Sequence, residues 1–128
     1  NEPDAPAVRA VMRSTASLCS SVLAVLEVTS VFQRHIREGF LSATEGHELM
    51  DLFRQHATDG LWNLLPVTDA LLYRAAVRVR SLPAGVLLRA ADLLHLVTAV
   101  EAGESEIWTS DRHMLAAAPH FGILGRSA

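Results

Sequence analysis

Between Ala90 and Val100 the chain reads AADLLHLVTAV, and only Asp92, His95 and Thr98 interrupt the apolar run. A helix of this composition is apolar all round and belongs in an interior, so neighbouring elements have to cover it. The three polar residues recur at every third position and form one slowly drifting stripe. A buried carboxylate is costly unless it is paired, hydrogen-bonded or bound to a metal. Asp92 therefore asks for a partner, or else serves as a cap near the helix start. His95 reads as a packing or supporting residue rather than a ligand, and Thr98 as a hydroxyl bonding back to its own helix.

The segments around this helix alternate in type. Asp4 and Pro6 open a helix to about Met12. SLCS at 17–20 reads as a short buried strand, followed by a helix over 22–37 that Ser21 caps and Gly39 ends. SATE at 42–45 has capping-box spacing and opens a helix to about His56. LWNLL at 61–65 is a strand closed by Pro66, and Thr68 starts a helix to about Arg80. After the LPAG turn at 82–85, the apolar helix occupies 88–102 and stops at Gly103. A strand at 106–109, a helix at 112–118 and a last short strand at 122–124 complete the order. Short apolar strands separated by helices predict an α/β sandwich on a short-stranded parallel sheet, dominated by helix. At 128 residues the chain fits one domain, 1–128.

Half of the residues are hydrophobic and 20% are charged, enough apolar material for a real core. No apolar run approaches the roughly 18 residues of a membrane span, and no signal-peptide pattern is present. The single cysteine, Cys19, excludes an intrachain disulfide and suits a cytoplasmic setting. All eleven basic residues are arginine and the net charge is −3, which argues against a duplex-DNA binder driven by bulk charge. Metal ions held by carboxylates can still provide positive charge locally.

Three acids stand in unusual places. Glu27, in VLAVLEVTSV, shares a helical stripe with Leu23 and Val31; an edge position beside Arg34 is the plain alternative. Asp92 lies on the apolar helix. Asp111, in EIWTSDRHMLAAA, follows a strand and opens a helix, where an aspartate can simply cap. The same junction is where parallel α/β folds build their sites. Carboxylates gathered on one sheet edge would repel each other without a cation, and they are oxygen ligands suited to Mg²⁺ or Mn²⁺. Such a centre supports attack of an activated water on a phosphodiester.

SSVLAVLEV (20–28), LRAADLLHLVTAVEAG (88–103) and IWTSDRHMLAAAPHFGI (107–123) together resemble the PIN-domain family, most closely the VapC-type toxins of toxin–antitoxin pairs. The likeness covers nearly the whole chain in order. It implies a three-layer α/β/α fold in which Glu27, Asp92 and Asp111 are metal-site acids. Thr109, Ser110 and His95 would support them. It further implies a Mg²⁺- or Mn²⁺-dependent endoribonuclease acting on RNA, inhibited by a cognate antitoxin and assembled as a homodimer. The family's first strand, which carries a further acid in the middle of the sheet, has no counterpart here. That segment is expected to lie outside this chain or to be replaced by a partner's.

A second reading is a non-catalytic PIN-like interaction module. Phe32, Ile36, Phe40, Leu49 and Phe53 lie on two adjacent helices and either pack against each other or form an apolar groove for a partner.

Overall fold

A computed structural model describes residues 18–127, which fall in two compact units, Ser17–Pro66 and Val67–Ala128. The expected helix at 4–12 lies outside the described residues.

The first unit runs β1 (Leu18–Ser21), α1 (Leu23–Arg37), α2 (Ala43–Thr58) and β2 (Trp62–Leu65). The strands pair in parallel, from Leu18 opposite Trp62 to Ser21 opposite Leu65. Parallel strands need a long crossover, which the two helices provide. The Val22 N–H donates to the Leu65 carbonyl at 2.8 Å and carries the pairing one residue past β1. Val22 holds the cap position of α1, yet the acceptor comes from Ser21, whose Oγ takes the Leu23 N–H at 3.2 Å. Gly39, at φ 81°, lets the chain reverse after α1. The capping box is reciprocal, Ser42 Oγ accepting from Glu45 N–H at 3.0 Å and Glu45 Oε1 from Ser42 N–H at 3.1 Å. The Ser42 N–H first, and the Ser42 hydroxyl second, hold the Glu45 carboxyl below its ordinary pKa.

Gly46 is the buried residue of α2, and a Cβ there would overlap Ile36 Cδ1 and Cγ1 of α1. The helices thus approach where one of them has no side chain. Gly46→Ala gains about 1 kcal/mol of helix propensity but overpacks the contact, which typically costs about 1–3 kcal/mol. The expected result is net destabilisation in denaturant melts, with the sign reversed in an Ile36→Ala background. Equal effects in both backgrounds would show that the two residues do not meet. Phe53 stacks at a tilt on Trp62, ring centroids 5.8 Å apart, whereas Phe40 is 74% exposed beside the His35 edge. Ile36 and Phe53 therefore pack within this unit, and Phe40 points outward.

The second unit runs α3 (Asp69–Arg80), α4 (Ala90–Glu101), β3 (Glu106–Trp108), α5 (Arg112–Ala117), a 3-10 turn (Ala118–Phe121) and β4 (Leu124–Arg126). Thr68 caps α3, its Oγ1 accepting the Leu71 N–H at 3.1 Å. The apolar helix α4 is the core of the unit: Leu93, Leu94, Leu96 and Val97 are buried, Leu96 completely. Around it lie Leu71 and Ala75 of α3, Met114 and Ala117 of α5, and Phe121 of the 3-10 turn, all buried. Arg78 covers the Phe121 ring at 4.8 Å, and Arg74 of α3 forms a bidentate pair with Glu101 of α4 at 2.5 and 2.6 Å.

Strand β4 pairs in parallel with β3, Glu106 opposite Leu124 and Trp108 opposite Arg126. It begins two residues later than the sequence pattern predicts, because Gly122 at φ 71° closes the 3-10 turn first. Thr98 also departs from expectation. Its hydroxyl is buried with no hydrogen-bond partner instead of bonding back to α4. The fold is a helix-rich α/β arrangement with short parallel strands, the class the sequence predicts.

Candidate active site

The junction between β3 and α5 is built by one bond to β4 and three short-range bonds. The Thr109 N–H donates to the Arg126 carbonyl at 3.0 Å, a last rung beside β4. Beyond it the chain turns, and Thr109 Oγ1 accepts the Asp111 N–H at 3.0 Å. Asp111 then caps α5, its Oδ1 accepting from His113 N–H at 2.7 Å and Met114 N–H at 3.3 Å. Both cap bonds use the same oxygen, so the cap does not occupy Oδ2, and the residue is exposed. The Thr109 hydroxyl thereby positions the Asp111 backbone. Ser110 is exposed in the turn between them.

Asp92 lies in the first turn of α4, three residues after the cap position, which Arg89 fills without a side-chain bond. The positive end of the helix favours a carboxylate there. Asp92 is half-buried between Ala91 and the buried Leu93, and His95 is half-buried one turn further on. Glu27, in the middle of α1, is also half-buried; α1 has no fully buried residue, and Val31 on its stripe is 39% exposed.

Asp92 and Asp111 thus belong to the Val67–Ala128 unit, each near a helix start, and Glu27 belongs to the Ser17–Pro66 unit. Among the described residues, no three His, Cys, Asp or Glu side chains gather closely enough to hold a metal ion. The described residues do not by themselves fit a divalent ion.

A charged array next to this junction was not visible in the sequence. Glu106 Oε2 accepts from Arg126 Nε at 2.6 Å, and Glu106 Oε1 accepts from Trp108 Nε1 at 3.3 Å. Partners twenty residues apart meet only because β3 and β4 pair in this register; the Glu–x–Trp spacing was the sole local signal. The Arg126 bond first, and the Trp108 bond second, hold the Glu106 carboxyl below its ordinary pKa. A carboxyl lowered in the folded state stabilises the fold above its unfolded pKa of about 4.3, and that contribution is lost as pH falls through the folded value. Trp108 emission, followed in a Trp62→Phe protein, is expected to titrate with a midpoint below about 4.3, and Glu106→Gln to remove that transition. A midpoint at or above the ordinary value would contradict the pairing.

Parallel strands joined by helical crossovers, with aspartates near helix starts, define an α/β protein of the class that builds its sites at strand ends. The PIN domain family profile matches residues 1–119, and the chain belongs to that family, whose members are generally nucleases. No curated protein and no solved structure gives a significant match to the chain. No helix among the described residues is long and apolar enough to cross a membrane.

Proposed function

We propose that this chain is one PIN-like domain acting as an endoribonuclease toxin that depends on Mg²⁺ or Mn²⁺, with Glu27, Asp92 and Asp111 as its acidic residues. The observation that supports this best is Asp111, fixed by a strand end, a Thr109 hydroxyl and two N–H bonds to one carboxylate oxygen, while the other oxygen is outside the cap. Asp92, on the core helix, is the second acid of the same unit. A divalent ion would supply positive charge beside these acids and polarise a water. The Thr109 hydroxyl and the Asp111 cap hold the strand-end turn in place. A cognate antitoxin and a second copy are the partners of this reading, served by exposed apolar side chains such as Phe40, Tyr73 and Val77.

The test is cleavage of a labelled RNA with Mg²⁺ or Mn²⁺, comparing the parent with Asp92→Asn and Asp111→Asn at matched folding. Parent-like cleavage by both variants would remove the site assignment.

The exposed apolar side chains Phe40, Tyr73 and Val77 also suit a second reading, a non-catalytic PIN-like interaction module. That module shows no rise in melting temperature on adding Mg²⁺ or Mn²⁺, and its acids are replaceable without consequence.

A further inference from the structure

The face of the β3–β4 pair turned away from α5 carries Glu106, Trp108, Leu124 and Arg126. The register places Glu106 beside Leu124 and Trp108 beside Arg126, and alternate residues of a strand share a face. The opposite face belongs to Gly125, where a Cβ would stand 3.1 Å from Leu115 Cδ2 of α5. All four side chains of the outer face are exposed, Trp108 at 42% and Leu124 at 54%.

An exposed indole on a strand leaves a large apolar plane in water. This plane is also held in place. One carboxylate, Glu106, accepts from the edge of the indole through Nε1 and from the edge of the Arg126 guanidinium through Nε. Two flat groups are thus held by their edges on an open sheet face. Flat aromatic and guanidinium planes are what unpaired nucleobases stack on, whereas bases inside a duplex are already stacked. A bulky apolar protein partner would have to bury the Glu106–Arg126 pair, at a desolvation cost that a single base resting on the indole avoids. The strand carrying Trp108 runs directly into Asp111, and three residues of extended chain reach at most about 11 Å.

We propose that Trp108, oriented by Glu106 and flanked by Arg126, stacks an unpaired base of the RNA strand whose backbone meets the Asp111 turn. This rests on the nuclease reading above and adds to it the residue that seats a base of the substrate strand.

The probe is an eight-nucleotide oligoadenylate RNA, free or annealed to its complement. Binding is measured by anisotropy in EDTA, and cleavage by steady-state kinetics with Mn²⁺. Trp108→Ala is expected to weaken single-strand binding about tenfold and to raise KM with little change in kcat. Trp108→Phe is expected to recover most of the loss, and the single strand to quench emission of the Trp62→Phe protein. Unchanged melting temperatures establish that the variants fold. If Trp108→Ala leaves Kd and KM as in the parent while the parent cleaves, the stacking platform is wrong and the nuclease reading stands. A parent that neither binds nor cleaves the RNA overturns both.

Discussion

Replacing Asp111 by asparagine is expected to abolish metal-dependent RNA cleavage, by at least about a hundredfold, while the melting temperature stays within a few degrees of the parent. The two outcomes separate because, in the proposed site, Asp111 would combine two tasks. Its Oδ1 caps α5 by accepting from His113 and Met114, and an asparagine carbonyl can accept the same bonds. What asparagine removes is the negative charge, which a structural cap needs little and a cation site needs directly. Asp111→Ala should lose both, with a cap cost of about 1 kcal/mol appearing in the melt. Asp92→Asn is predicted to behave like Asp111→Asn, since Arg89 rather than Asp92 occupies the cap position of α4. A variant that melts like the parent and cleaves like the parent leaves Asp111 as a cap and nothing more.

The largest loss of stability is expected from Leu96→Ala. Leu96 is completely buried on α4, one helical turn beyond Asp92. Deleting a fully buried leucine side chain removes its transfer free energy and leaves a cavity, together about 3–5 kcal/mol. For a chain of this length that is a drop in melting temperature of roughly 10–20 °C. Leu96→Met, which keeps the volume, should cost less than about 1.5 kcal/mol. Urea melts followed by circular dichroism measure both. A small effect of Leu96→Ala would mean that α4 is not the centre of the Val67–Ala128 unit. Leu96→Ala and Asp92→Asn lie on the same helix four residues apart, yet one is expected to destabilise the unit and the other only to lower cleavage.

Much of this molecule is legible in its sequence wherever the cause is local. Ser42 and Glu45 sit three residues apart, and that spacing alone makes the capping box. Thr68 and Asp111 start helices because short oxygen-bearing side chains reach N–H groups two or three residues ahead. Helix α4 reads as buried because its apolar residues occupy every side, and it is. Pattern and structure part where local rules compete. The pattern makes Ser21 the cap of α1, and its hydroxyl acts from one residue before the cap position. A helical threonine such as Thr98 ordinarily bonds back to its helix, and here its hydroxyl is buried without a hydrogen-bond partner. Strand β4 begins two residues beyond its pattern because a positive-φ glycine ends the preceding turn before the strand can begin.

The sequence by itself determined the class of fold, the starts of α2, α3 and α5 and the position of Asp111 at a strand end, since each start depends on neighbours within one turn. Only the tertiary structure decided that Gly46 makes room for Ile36 and that Thr109 spends its hydroxyl on the Asp111 backbone. It also decided that Glu106 joins Trp108 to Arg126. Strand pairing is the physical reason for the last of these. A slip of one residue between β3 and β4 would send Arg126 to the opposite face, and no local pattern of three-residue strands specifies that register.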